Sequence, residues 1–189
     1  VHIGGVSLTD VANDELRRRL IVVPQEPFLF ANTIEYNLQF ADPHATSQSM
    51  FDRFAELGLS DWLESLPLGL QTHVGQRGSA LSAGERQLVA LVRASIVKPD
   101  VLVLDEATSS VDSLTEVRIS RALERLALGR TTISIAHRLS TASRADRVIM
   151  LEHGRIVEDG SHLALISAGG KYASLYETWI NSTSGIGNE

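Results

Sequence analysis

The chain contains no cysteine, which excludes a disulfide framework and any zinc site built on thiolates. Lysine is nearly as scarce, with only Lys98 and Lys171 among 17 basic residues. No apolar run approaches the roughly eighteen residues of a spanning helix, so no segment of this chain reads as one. A basic surplus is also missing. The 23 acidic residues give a formal charge of −6 and a pI near 5.5, which argues against a nucleic-acid partner. No charged segment followed by an apolar stretch opens the chain, so no secretory signal is recognised. The first residue is Val1 rather than Met, and the expectation is that the chain begins inside a longer protein.

What is present is the composition of an ordinary globular domain: 189 residues, 43% hydrophobic and 21% charged. That length suits one sizeable core. Val1–Leu8 alternates as a strand does, and Leu20–Val23 is a short apolar run closed by Pro24. From Gln25 to about Arg77 the pattern is helical in short pieces. Thr33–Leu38 follows a cap at Asn32, Ser47–Leu57 follows another, and Asp61–Leu66 follows Ser60. Ala83–Val97 reads as one longer helix stopped by Pro99. Beyond it helices and strands alternate. Val101–Leu104, Thr131–Ala136 and Val148–Leu151 read as buried strands. Ser113–Leu128 is helical, with Leu114, Val117, Leu123 and Leu126 near one face. Glu152-His153-Gly154-Arg155 is a tight turn into Ile156–Val157. Two helices near Leu163–Ala168 and Tyr172–Ile180 precede a polar tail, Asn181–Glu189, that is expected to fray.

Two places carry chemistry. Val101-Leu102-Val103-Leu104-Asp105-Glu106 is a buried strand ending in paired acids, which an α/β fold delivers to the C-terminal edge of its sheet. One acid can hold Mg²⁺, usually through water, and the other can act as a base. Taken alone, the same run is equally a strand that stops at a solvated turn. Leu81-Ser82-Ala83-Gly84-Glu85-Arg86-Gln87 contains a capping box, Ser82 with Glu85. Gly84 adds bare backbone at a helix N-terminus, where N–H groups and the helix dipole favour a phosphate. Ser113 with Glu116 forms a second box, read only as a cap.

Taken together these elements resemble the nucleotide-binding domains of ABC transporters of the exporter type, similar to bacterial multidrug and lipid exporters. The resemblance covers nearly the whole chain. Ser82–Glu85 resembles the signature motif LSGGQ, with Ala83 in place of its first glycine and Glu85 in place of its glutamine. Asp105 and Glu106 resemble the Walker B pair. Ser109-Ser110-Val111-Asp112 resembles the D-loop, His137 the switch histidine and Gln25 the Q-loop. Thr72–Gly78 resembles the exporter X-loop, with Gln76 where Glu is usual. The implied fold is α/β, a RecA-like core of the phosphate-loop NTPases with an inserted helical subdomain. Its segments are 1–24 (partial core), 25–98 (helical subdomain), 99–181 (core) and 182–189 (tail).

The resemblance also implies roles. Glu106 polarises the attacking water, and His137 contacts the γ-phosphate of ATP and helps order Glu106. Asp105 holds Mg²⁺ through water, with Gln25 contributing to the metal or the water. Ser82 and the Gly84 backbone, with Ala83 and Glu85 in the same turn, bind the γ-phosphate of ATP held mainly by a second nucleotide-binding domain. Asp112 sits at that interface. The Q-loop and X-loop receive the coupling helices of a transmembrane domain, at the cytoplasmic face of the membrane. Of Phe28, Phe30, Tyr36 and Trp62, most are expected in the core and one or two in the docking groove.

The family's G-x-x-x-x-G-K-[ST] phosphate loop does not occur in the sequence. Lys98 precedes Pro99, and Lys171 follows Gly169-Gly170 but has Leu165 where the first glycine belongs and Tyr172 where Ser or Thr belongs. The loop is expected upstream of Val1, so the 189-residue chain by itself is expected neither to bind nor to hydrolyse ATP well. Three other readings are possible. The C-terminal lobe of an SMC-type ATPase should show coiled-coil heptads before the signature, and none are present. The Gln71–Gly78 segment and Asn32-Thr33-Ile34 argue against an importer. A non-catalytic module that only completes a partner's site has no use for Glu106 and His137, although the missing phosphate loop favours it.

Overall fold

Short β-branched runs pair side by side, and the long apolar helix Ala83–Val97 packs against the helices Ile34–Gln39, Ser47–Leu57 and Ser113–Ala127. The computed structural model describes residues 1–105, 111–136 and 139–184. They fall into two compact units, Val1–Ile135 and Ala136–Glu189.

In the first unit the expected strand Val1–Leu8 is folded back on itself as β1 (His2–Ile3) and β2 (Val6–Ser7). Gly4 and Gly5 make the turn, with φ of +56° and +83°. Helix α1 (Asn13–Arg19) leads into β3 (Leu20–Val23). Strands β3, β4 (Val101–Asp105) and β5 (Thr131–Ile135) form a parallel sheet in that order. The expectation that β5 is buried is corrected: Ile133 and Ile135 are 53% and 51% exposed. Among the described residues β5 stands at one end of the sheet, paired with β4 alone.

Residues 25–98 supply α2 (Ile34–Gln39), α3 (Ser47–Leu57), α4 (Ser60–Ser65) and α5 (Ala83–Val97). The caps of the shorter helices differ from expectation. Thr33 rather than Asn32 caps α2, its hydroxyl accepting from the Tyr36 N–H at 3.1 Å. Ser60 lies inside α4, which has no side-chain cap. Every residue of α5 from Leu88 to Val92 is buried, because the helix packs against α2, α3, β3 and α6 (Ser113–Ala127) at once. It stops where Lys98 turns left-handed, at φ +52°, before Pro99.

The buried face of α6 is Thr115, Ile119, Ala122 and Leu126. Leu114 and Val117, expected on that face, are exposed. The actual stripe keeps the three-to-four spacing but begins on a threonine, which an apolar count passes over. Its cap is Asp112, not the expected Ser113. The Asp112 carboxylate accepts from the Thr115 N–H at 3.0 Å.

The second unit holds α7 (Leu139–Ala142), β6 (Val148–Glu152), β7 (Arg155–Gly160), α8 (His162–Ala168) and α9 (Lys171–Ser184). β6 pairs antiparallel with β7, through a two-residue turn in which His153 and Gly154 both have positive φ. The expectation that β6 is buried is also corrected: Ile149 and Leu151 are 48% and 68% exposed. The Glu158 carboxylate accepts from the Lys171 and Tyr172 N–H groups at 2.6 and 2.9 Å and so caps α9. Helix α9 continues through Asn181–Ser184, where a frayed tail was expected.

Candidate functional site

The parallel register carries Asp105 and Gln25 to the same edge of the sheet. Val23 pairs with Leu104 and Asp105 with Ile135, so β3 leaves the sheet at Pro24-Gln25 beside the acid that closes β4. This is the C-terminal edge, where α/β sheets place ligands. Gln25 is exposed and Asp105 half-buried. A carboxylate and an amide oxygen are hard donors, and Mg²⁺ characteristically takes one or two protein oxygens and completes its shell with water and phosphate. The residues present therefore fit that ion. Glu106 directly follows Asp105 in sequence and His137 directly follows Ala136. Both lie outside the described residues.

The second element is the first turn of α5. The Ser82 hydroxyl accepts from the Glu85 N–H at 3.2 Å, and Glu85 Oε2 accepts from the Ser82 N–H at 2.8 Å, so the expected capping box is complete. Ser82 and Ala83 are exposed, and the free N–H groups of a fifteen-residue helix begin there. Glu85 Oε1 accepts from the indole N–H of Trp62 at 3.3 Å. Burial pushes the Glu85 carboxyl up, but the bonds donated by Ser82 and Trp62 outweigh it and hold the group below its ordinary value.

Gly84 is buried, and the reason is the start of α6. A Cβ on Gly84 would meet Thr115 Cγ2 at 2.4 Å and Val111 Cγ1 at 2.7 Å. The N-termini of α5 and α6 therefore touch, and the turns of Ser82–Glu85 and Asp112 are neighbours. Asp112 is exposed beside them. Its carboxyl is held below the ordinary value chiefly by the Thr115 N–H.

The third element joins two segments that sequence reading had singled out separately. Thr33 pairs with His73, the Ile34 N–H donates to Thr72 O and the Val74 N–H to Asn32 O, so Asn32-Thr33-Ile34 and Thr72–Val74 run side by side. The Arg86 guanidinium donates to Leu81 O at 2.8 Å and ties the following loop to α5. Phe30 sits among Phe28, Tyr36 and Phe40, with ring centroids 5.1, 6.3 and 4.6 Å away. Those three neighbours are largely exposed, whereas Trp62 is buried in the core. Sequence reading missed Asn37, which is wholly buried. Its amide accepts from the Phe30 N–H and donates to Phe30 O and Thr33 O, fixing the aromatic loop.

Residues 1–109 match a family model described as ABC transporter. The ATP-dependent lipid A-core flippase of Bordetella avium is 46% identical over 93% of this chain and 30% of its own length. The mitochondrial iron-sulfur clusters transporter of Oryzias latipes is 42% identical over 100% of this chain and 25% of its own. The solved structure of a bacterial Atm1-family ABC exporter with ATP bound superposes with a TM-score of 0.83 at 39% identity, over 93% of this chain and 31% of that one. The chain thus spans less than a third of the length of the curated relatives it matches.

Proposed function

The chain belongs to the ABC transporter family, and from that premise we propose that it is the larger part of the ATP-hydrolysing domain of an exporter. The observation that carries the reading is the contact of Gly84 with Val111 and Thr115, which sets the Ser82–Glu85 and Asp112 turns side by side. In this reading residues 25–98 form a helical subdomain, and 1–24 with 99–181 a RecA-like core.

Each residue then has a chemical task. Asp105, through water, and Gln25 would hold Mg²⁺ at the sheet edge. When bound, the ion would supply positive charge against the charge that develops on the phosphates during transfer. Glu106 polarises the attacking water, and His137 contacts the γ-phosphate and orders Glu106. Ser82 and the Gly84 backbone offer a hydroxyl and helix N-terminal N–H groups to the γ-phosphate of ATP held by a second nucleotide-binding domain. Asp112 lies at that interface. The exposed aromatics Phe28, Tyr36 and Phe40, beside the paired segments 32–34 and 72–74, receive the coupling helices of a transmembrane domain. The module works at the cytoplasmic face of a membrane, with no nucleic-acid partner.

The phosphates of the chain's own ATP need a phosphate loop, and the sequence holds no such motif. The 189-residue chain by itself is therefore inactive, and activity belongs to the full-length polypeptide. ATPase assays on that polypeptide in lipid test this. Glu106→Gln should lower the rate by about 10²–10⁴, the scale of general-base catalysis. An unchanged rate would favour a non-catalytic module that completes a partner's site. Saturable hydrolysis by the isolated chain would contradict the reading directly.

A further inference from the structure

A glutamate in the first turn of α5 is a problem for the proposed site. That turn presents N–H groups to a phosphate, and a carboxylate close by would repel the anion it is meant to bind. The structure shows how the charge is held. One Glu85 oxygen accepts from the Ser82 N–H at 2.8 Å and the other from the Trp62 indole at 3.3 Å. Trp62 comes from α4 in the helical segment, is 3% exposed, and packs against Phe54 with ring centroids 6.0 Å apart. The indole is therefore a fixed donor on a rigid ring. Asp112 is the other acid whose charge reaches Glu85. Arg86, the next residue, turns its guanidinium to Leu81 O.

We propose that Trp62 is a positioning residue for the signature turn: its indole N–H holds the Glu85 carboxylate on the α4 side, so that the acid braces the turn without opposing the phosphate that the turn receives. The proposal rests on the functional reading given above. It also makes α4 a mechanical part of the turn that completes the opposite ATP site. Sequence pattern alone offers no sign of this, because a tryptophan beside a leucine on a short helix reads as core.

Trp62→Phe keeps the ring and removes the donor. In the full-length polypeptide the KM for ATP should rise about tenfold, the scale of one hydrogen bond to a charged group. Glu85→Gln in the same background should recover most of that loss, since a neutral amide does not need to be held away from a phosphate. A purely structural role for Trp62 would show no such rescue. A second readout uses the fluorescence of Trp62 in a full-length polypeptide in which every other tryptophan, Trp179 included, is replaced by phenylalanine. Its emission should change with pH as the Glu85 carboxyl titrates, and the change should vanish with Glu85→Gln. An unaltered KM in Trp62→Phe, a loss that Glu85→Gln does not relieve, or a Trp62 emission indifferent to Glu85 would each overturn the proposal and leave the functional reading intact. An unmutated polypeptide without ATPase activity would overturn that reading, and the proposal with it.

Discussion

Gly84 meets Thr115 so closely that no side chain fits between them: a Cβ on the glycine would stand 2.4 Å from the threonine Cγ2. The contact joins the first turn of α5 to the first turn of α6, and Thr115 is itself buried. Gly84→Ala should therefore destabilise the protein by about 1–3 kcal/mol, the usual cost of overpacking a rigid contact. Thr115→Ser removes the clashing methyl, and the double variant should recover part of the loss. Urea unfolding of the four proteins measures the coupling. Simple additivity would mean that the two residues do not meet as described.

The same pair marks the limit of what the sequence made legible. Helix α5 was readable from end to end because its start is a local signal, Ser82 with Glu85, and its end a local obstacle, Pro99. The α6 boundaries were nearly as plain, yet its face was misassigned, since Leu114 and Val117 are more apolar than Thr115 but point to solvent. Burial there follows from what stands opposite, and a glycine opposite rewards a small β-branched residue. The cap at Asp112 was hidden for a different reason. Ser113 with Glu116 offered an equally good local pattern one position on, and only the backbone shows which residue leaves the helix. β5 has the composition of a buried strand, and its exposure depends on its place in the sheet order. At the candidate site, Asp105, Gln25 and the capping box were legible as motifs. Trp62 and Asn37 were not, because what they hold is chosen by tertiary contact or by a loop without a pattern of its own.

Two acids at the helix starts should make stability fall in acid. Glu85 and Asp112 are both held below their ordinary values of 4.5 and 3.8. A carboxyl lowered in the folded state contributes stability that is fully present above its ordinary value and lost as pH falls through the lowered one. The loss should begin below pH 4.5 for Glu85 and below 3.8 for Asp112. Asn at 112 still caps a helix, and Gln at 85 still accepts hydrogen bonds, but neither titrates. Urea midpoints of Asp112→Asn and Glu85→Gln should therefore converge on the parent as pH drops through this window. Curves that stay parallel to the parent would show that these carboxyls do not carry the acid response.

Asn37 permits a sharper test, because its amide both gives and receives. Its oxygen accepts from the Phe30 N–H at 2.8 Å, while its nitrogen donates to Phe30 O at 3.0 Å and to Thr33 O at 2.9 Å. Asn37→Ala removes the acceptor of the Phe30 N–H, at about 1–3 kcal/mol for a donor left unpaired, while Phe30 O keeps the Asn32 N–H and Thr33 O keeps the Asn37 N–H. Asn37→Asp keeps the shape and the acceptor but sets a carboxylate oxygen against two carbonyls in a wholly buried place. Burial and those carbonyls both raise the pKa of the new acid in the folded state. Its penalty should thus be smallest below the unfolded value of about 3.9, grow as pH rises, and level off once the folded pKa is passed. Even protonated, the acid donates to only one of the two carbonyls, so it should never match the parent. The Asn37→Ala penalty should not vary with pH in this way. Urea midpoints of both variants from about pH 3 to about pH 8 separate the cases. If Asn37→Asp simply parallels Asn37→Ala, the amide is not the clamp that fixes the backbone at Phe30 and Thr33.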